Sequence, residues 1–293
     1  MMKNSYKIVL LALLSLAATA CIKDGFDSDN CPGEFVITVD YPDGTEPGTN
    51  VNTVITYPDG TQKPVEIGKD NPLDLDEGSY TVTSTTGTTG NAIVEGSKVT
   101  VETNPDGTAK DPDDFFGGST EITVGPNADD GDKSYKIPVI QQTRPLIIKV
   151  KFVGNNVSLV EAVSGTVDGI ALSRDLSNGF PPADGKPRHS VYQSGSIAYS
   201  FSKTGTGQEF LSETHRLLGI DGDAEQHLKL SILFSGQASK EYDFNIARAM
   251  DEFHITEVTK PWTIEITIYL GADFSATIED WKAGPDIWMD AQH

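Results

Sequence analysis

The sequence predicts an all-β protein made of two tandem β-sandwich domains with little helix. Three observations predict it. Apolar and polar residues alternate with period two through most of the chain, as in strands with one buried face. Connections are rich in glycine (28) and proline (16), and several spell tight turns. The charge is also divided. Residues 33–142 hold 20 Asp/Glu against six Lys and no Arg, whereas residues 143–293 hold 20 Asp/Glu against 13 Lys/Arg. All five arginines (Arg144, Arg174, Arg188, Arg216, Arg248) lie in the second part. The shift marks a boundary near residue 143, with domains at 34–143 and 144–293, each long enough to bury a core.

The chain begins with a basic stretch, Lys3 and Lys7, followed by the 13-residue apolar run IVLLALLSLAATA. That run is too short for a membrane span, which needs about 20 apolar residues. Residues 1–20 have the layout of a secretory signal peptide. The run ends Ala18-Thr19-Ala20-Cys21, which resembles the lipobox of bacterial lipoproteins, with Ala18 where leucine is usual. The resemblance implies cleavage between Ala20 and Cys21 and acylation of Cys21, palmitate included. Two or more acyl chains hold a protein stably at a membrane. An ordinary signal peptide cut at the same place would instead leave Cys21 a free thiol. Residues 21–33 form an acidic leader. With Cys21 carrying lipid, Cys31 has no disulfide partner, so stability must come from burial.

Strands follow in order. Phe35, Ile37, Val39 and Tyr41 alternate with Val36, Thr38 and Asp40, and the pattern returns at 54–57, 80–82, 99–101, 122–124 and 135–139. YPDGT at 41–45 and 57–61, and NPDGT at 104–108, are hairpin turns: proline presets the first corner, Asp accepts local backbone bonds and Gly takes positive φ. In the second half, Leu146, Ile148, Val150 and Phe152 share one face, as do Leu228, Leu230, Ile232 and Phe234, then Tyr242, Phe244 and Ile246. PWTIEITIYLG puts Trp262, Ile264, Ile266, Ile268 and Leu270 on one apolar face, so Trp262 is a core residue. AEQHLKL near 224 and ARAMDEF near 247 carry the best helix signals, both short.

Motifs of catalysis are missing from this sequence. The histidines (His189, His215, His227, His254, His293) have no H-E-x-x-H spacing, and neither cysteine sits in a CxxC. There is no G-x-S-x-G elbow, Walker loop or strand-borne GxGxxG. The expectation is a protein that is not an enzyme and takes no cofactor. Two acidic strings, Asp27/Asp29 and Asp221/Asp223/Glu225, alternate oxygen ligands as calcium loops do, but lack the loop glycine and the later bidentate glutamate. The formal charge of −21 argues against nucleic acid and anionic lipid surfaces as partners. Trp281 and Trp288, in the C-terminal stretch, are candidate partner or ligand contacts. Pro181-Pro182 marks a long loop.

The order of segments resembles one known family. After Cys21 come an acidic leader ending Cys31-Pro32, a strand and a meander. Then come Thr143-Arg144-Pro145-Leu146, Val163-Ser164-Gly165-Thr166-Val167-Asp168-Gly169-Ile170 and Asp175-Leu176-Ser177-Asn178-Gly179, and near the end LGADFSATIEDWKAG at 270–284. This looks like the lipid-anchored fimbrial anchor and fimbrillin-like proteins of Bacteroidetes-type (type V) pili. The resemblance implies two tandem sandwiches, the first transthyretin-like, and no catalysis. It also implies an outer-membrane, surface-exposed lipoprotein that anchors or assists a fimbria in assembly and adhesion. Ile22-Lys23-Asp24 is similar to the family's surface-export signal, interrupted here by Gly25 and Phe26. Partners implied are the membrane, through the lipid, and pilin subunits, by strand addition or docking; a host or polysaccharide ligand is a further expectation. In that family, polymerising subunits lose their first strand to an arginine-specific protease. Here no arginine precedes Arg144, so such a cut is chemically unavailable. The alternative class is a glycan-binding surface lipoprotein, with Trp281, Trp288, Tyr192 or Tyr199 as its aromatic platform.

Overall fold

The computed structural model describes residues 33–42, 51–125, 133–176, 191–204, 209–254 and 259–285. Ala20, Cys21, Asp27, Asp29, Cys31, the Pro181-Pro182 loop and Trp288 lie outside the described residues. The protein is all-β, as expected.

Alternation in the first half produces β1 (Gly33–Asp40), β2 (Val51–Thr56), β3 (Gln62–Val65), β4 (Leu73–Leu75), β5 (Gly78–Gly87), β6 (Ala92–Glu95), β7 (Lys98–Val101), β8 (Phe115–Val124), β9 (Lys133–Pro138) and β10 (Ile140–Gln141). A three-stranded sheet of order β4-β1-β9 faces a five-stranded sheet of order β10-β8-β5-β2-β3. The inward-facing parity of each strand fills the space between them: Phe35 and Ile37 from β1, Ile55 from β2, Val82 from β5, Ile122 from β8 and Ile137 from β9, all without exposed surface. β1 is the middle strand. It runs antiparallel to β4 from Gly33↔Leu75 to Phe35↔Leu73 and parallel to β9 from Phe35↔Lys133 to Asp40↔Pro138.

The turn chemistry holds where it is described. In 57–61 the Gly60 amide donates to the Tyr57 carbonyl, the Thr61 amide donates to Asp59 Oδ1 at 2.8 Å, and Gly60 has φ 83°. In 104–108 the Gly107 amide donates to Asn104 and the Thr108 amide to Asp106 Oδ1 at 2.9 Å. The Thr108 hydroxyl donates to the same oxygen at 2.7 Å, and the hydroxyl and amide bonds together hold the Asp106 carboxyl below its ordinary pKa.

The second half contains β11 (Arg144–Gly154), β12 (Val160–Asp175), β13 (Val191–Thr204), β14 (Glu209–Ser212), β15 (His215–Leu217), β16 (His227–Phe234), β17 (Lys240–Asn245), one helical turn α1 (Ala247–Met250), β18 (Trp262–Leu270) and β19 (Ala276–Gly284). Eight strands run in the order β17-β16-β12-β13-β14-β11-β18-β19, with β15 also on β11. AEQHLKL, expected as a short helix, is instead a turn entering β16. Leu228, Leu230, Ile232 and Phe234 have no exposed surface, and burying that period-two row outweighs the local helix preference. ARAMDEF yields only the single turn α1.

Residue 143 is not a clean divide. β6 and β7 precede it, yet β7 pairs with β12 and both strands pack Ala92, Val99 and Val101 into the second core. Buried polar groups fasten the crossing. The Gln142 side chain donates to the Gly117 carbonyl at 2.7 Å, and the Arg174 Nη2 donates to the Gln142 carbonyl at 2.6 Å. Burial pushes the Arg174 guanidinium down to about 9, countered by Asp175; it stays charged at neutral pH, held also by the Leu218 carbonyl at 2.8 Å. Nearby, His215 lies edge-on against Tyr199, with Nδ1 2.7 Å from Asp111 Oδ1 and Nε2 3.1 Å from Glu213 Oε1. Burial disfavours the imidazolium, but the two carboxylates outweigh it and raise the His215 pKa. Arg216 pairs with Asp114 at 3.2 Å. The arm preceding β8 is thus clasped to the second core.

Candidate partner-binding groove

The two outer strands of the large sheet, β17 and β19, leave an open seam. Part of it is sealed: the Tyr242 hydroxyl donates to the Phe274 carbonyl at 2.6 Å, and Phe274 packs edge-on to Phe234 at 4.9 Å. Further along, α1 and the residues after it lie opposite β19, and a groove of about 260 Å³ opens between Arg248, Asp251, Glu252, Trp262, Trp281 and Ala283. A small apolar pocket of about 30 Å³ adjoins it, reaching Ile246, Ile266 and Ile278.

Trp281 reaches this place through strand register. It pairs with Ile266 across β18–β19, and Ala283 pairs with Ile264, so both take the inward parity of β18. A bulge between Thr267 and Ile268 accommodates Glu279 and keeps Ile278 inward as well. Trp281 is half-buried, with the Arg248 guanidinium 5.8 Å from its ring centroid, a cation–π pair.

The wall opposite is positioned by Arg144 and Trp262. Arg144 is fully buried. Its Nε donates to the Lys260 carbonyl at 2.9 Å and its Nη1 to the Phe253 carbonyl. Its guanidinium lies 4.8 Å from the Trp262 ring centroid, and the Trp262 indole N–H donates to the Ala249 carbonyl at 3.0 Å. The core role expected of Trp262 is what it has, and it doubles as the groove floor. The helix signal at ARAMDEF is met by α1, but nothing in the sequence marked Arg248 as part of a site.

The other expected residues do not join this site. Tyr199 is buried, 2% exposed, so it offers no platform. Tyr192 is 54% exposed, its hydroxyl 3.2 Å from Asp175 Oδ2 and Lys98 Nζ 5.6 Å from its ring centroid. Asp221 accepts from the Asp223 amide at 3.0 Å and from the Ser194 hydroxyl, while Glu225 pairs with His227 at 3.1 Å. Those carboxylates are committed to separate neighbours, and among the described residues no group of three His, Cys, Asp or Glu is placed to hold a metal ion. Among the same residues no helix is long and apolar enough to cross a membrane.

Comparison with known proteins places this architecture. A family model described as fimbrillin-A associated anchor proteins Mfa1 and Mfa2 matches residues 26–283. Among solved structures, the fimbrial anchor protein Mfa2 from Porphyromonas gingivalis aligns with TM-score 0.58 at 10% identity, covering 87% of this chain and 98% of that one. An adhesin candidate from Bacteroides ovatus aligns with TM-score 0.55 at 14% identity, covering 89% and 98%. A protein from Bacteroides thetaiotaomicron, described as a candidate polysaccharide-binding protein, aligns with TM-score 0.52 at 11% identity, covering 86% and 98%. At these identities the likeness concerns the fold. No curated protein matches the sequence.

Proposed function

The chain belongs to the fimbrillin-A associated anchor protein family, and we propose that it is a non-enzymatic anchor or accessory subunit of a fimbria, held at the outer surface of the cell. In this proposal Cys21 carries the lipid, the acidic leader spans from membrane to fold, and pilin subunits are the partners. One observation carries the proposal: β1 is the central strand of its sheet, paired on both sides, with Phe35 and Ile37 fully buried. No arginine precedes Arg144, and Arg144 itself is buried. A subunit built this way keeps its first strand, and with it the lipid, instead of shedding both to polymerise.

The test is deletion of the protein together with capture of pilin by the purified mature chain. The expected outcome is detached or abnormally long fimbriae and specific pilin capture. Attached fimbriae of normal length, with no pilin captured, would overturn the proposal. Glycan binding is a second reading, supported by the exposed Tyr192 ring with its hydroxyl beside Asp175. A glycan array in which Tyr192→Ala abolishes any signal would favour it.

A further inference from the structure

The groove of about 260 Å³ and the pocket of about 30 Å³ beside it share one wall: Arg248, Ala249 and Trp281 line both. The groove is a mixed aromatic and polar hollow, with Asp251 and Glu252 among its lining, somewhat smaller than the usual small-molecule site. The pocket has room for about one small group. Ile246, Ile266 and Ile278 make most of its wall apolar, so a methyl group suits it better than water. The walls are held in place ahead of any ligand. Fully buried Arg144 donates to the carbonyls of Phe253 and Lys260, the Trp262 indole donates to that of Ala249, and Trp281 is fixed opposite Ile266 in the β18–β19 ladder. Such preorganisation lowers the cost of binding.

Charge does not choose the ligand. Arg248 lines the groove together with Asp251 and Glu252, and Asp280 and Lys282 are exposed on the outward side of β19, so both signs are present and a net charge gains little. Shape and hydrogen bonding choose instead. They call for a neutral ring bearing hydroxyls in the groove, with one short branch that ends in a methyl group and enters the pocket. We propose that the two cavities form one site for an N-acetylhexosamine. The sugar ring lies in the groove against the partly exposed Trp281 indole. The acetamido methyl enters the pocket among Ile246, Ile266 and Ile278. Arg248, at the junction of the two cavities, donates to the acetamido carbonyl, and Asp251 accepts from a ring hydroxyl, both charge-assisted bonds. The proposal takes its ligand class from the glycan reading and gives that ligand a site that does not include Tyr192.

The experiment is saturation-transfer NMR on the purified mature chain, titrated with N-acetylglucosamine, N-acetylgalactosamine, glucose and acetamide. The expected result is binding of the acetylated sugars, with the strongest transfer at the acetamido methyl. Glucose should bind at least roughly 4-fold more weakly, the share of one buried methyl, and acetamide, which lacks the ring, should not compete. Trp281→Ala should weaken the acetylated sugars roughly 30-fold, the loss of an aromatic anchor. Ile278→Phe fills the pocket and should bring the acetylated sugars down to the level of glucose while glucose binds as before, so the outcome does not depend on one variant folding. No binding of either acetylated sugar, equal binding of glucose, or a Trp281→Ala variant that binds like the parent overturns the proposal. So does binding that appears only after truncation beyond Pro285, which would make the chain's own C-terminal segment the occupant. Binding abolished by Tyr192→Ala and untouched by Trp281→Ala would keep the glycan reading and overturn this site. Chitobiose and N-acetylgalactosaminyl-threonine, added as competitors, separate a cell-wall source from a mucin-type one. Displacement by either supports the site, and displacement by neither overturns it.

Discussion

Cutting the chain after its first strand measures how firmly β1 belongs to the fold. The variant Glu46→Arg supplies an arginine in the connection between β1 and β2, where the natural sequence has none before Arg144. Brief digestion with an arginine-specific protease then nicks the variant at a place where the parent chain resists. Phe35 and Ile37 have no exposed surface, and burying two such side chains contributes about 3–6 kcal/mol. Ladder bonds to β4 and β9 add about 1 kcal/mol each, net. The nicked chain should therefore keep β1 in place and elute from a sizing column as one body, releasing the N-terminal fragment only in denaturant. Adding Ile37→Ala removes about 2–5 kcal/mol, a weakening of roughly 30- to 4,000-fold, and should let the fragment dissociate under native conditions. If the singly nicked chain sheds β1 without denaturant and the rest of the sandwich keeps its Tm, β1 is expendable and the structural basis of the anchor proposal fails.

Other expectations are briefer. His215 has a raised pKa in the fold, so its clasp with Asp111 and Glu213 is fully present below the ordinary histidine value and is lost as pH rises through the raised one. Unfolding free energy should fall as pH rises from the ordinary histidine value through the raised one, and His215→Asn should remove the slope in a pH series of denaturant melts. A Cβ on Gly118 would sit 2.0 Å from the Pro138 carbonyl oxygen. Gly118→Ala should thus cost about 1–3 kcal/mol or more, read as a lower urea midpoint. Trp262→Phe leaves the buried Ala249 carbonyl without its indole donor and should cost about 1–3 kcal/mol. It should also broaden the environment of Trp281, seen as a red-shifted emission.

The strands were legible because burial of one face writes itself as period two. Phe35 and Ile37, Leu228 to Phe234 and Trp262 to Leu270 all read correctly in the sequence. The turns at 57–61 and 104–108 were legible because proline, aspartate and glycine each have one conformational use there. Contacts set by topology were not legible. Nothing local in Ala92 or Val99 says that their hairpin leaves the first half to pair with β12. Nothing local in Arg144 or Arg174 announces that both are buried, donating to backbone carbonyls. The groove was half legible. Trp281 stood out as a candidate contact, but its neighbours across the seam come from a one-turn helix some thirty residues earlier, joined to it only by the way a large sheet folds back on itself.

The direction of β1 gives the anchor proposal mechanical content. A chain tethered ahead of Gly33 and loaded through its second half takes the force into β1 at its N-terminal end. The force leaves the first core at the C-terminal end of β9, where Pro138 leads through Gln142 to Arg144. β1 and β9 are parallel, so those two points lie at opposite ends of one ladder. Pulling on them shears every pair from Phe35↔Lys133 to Asp40↔Pro138 together, whereas an antiparallel pair pulled at adjacent ends would open one bond at a time. The linker beyond β9 is itself fastened by Gln142 to Gly117 and by Arg174 to Gln142, so slack cannot develop there first. In single-molecule pulling, attachment at the N-terminus and C-terminus should give a distinctly higher force peak for the first core than attachment in the 43–50 connection and the C-terminus, which bypasses β1. Equal peaks from the two attachments would show that the β1–β9 ladder does not carry the load.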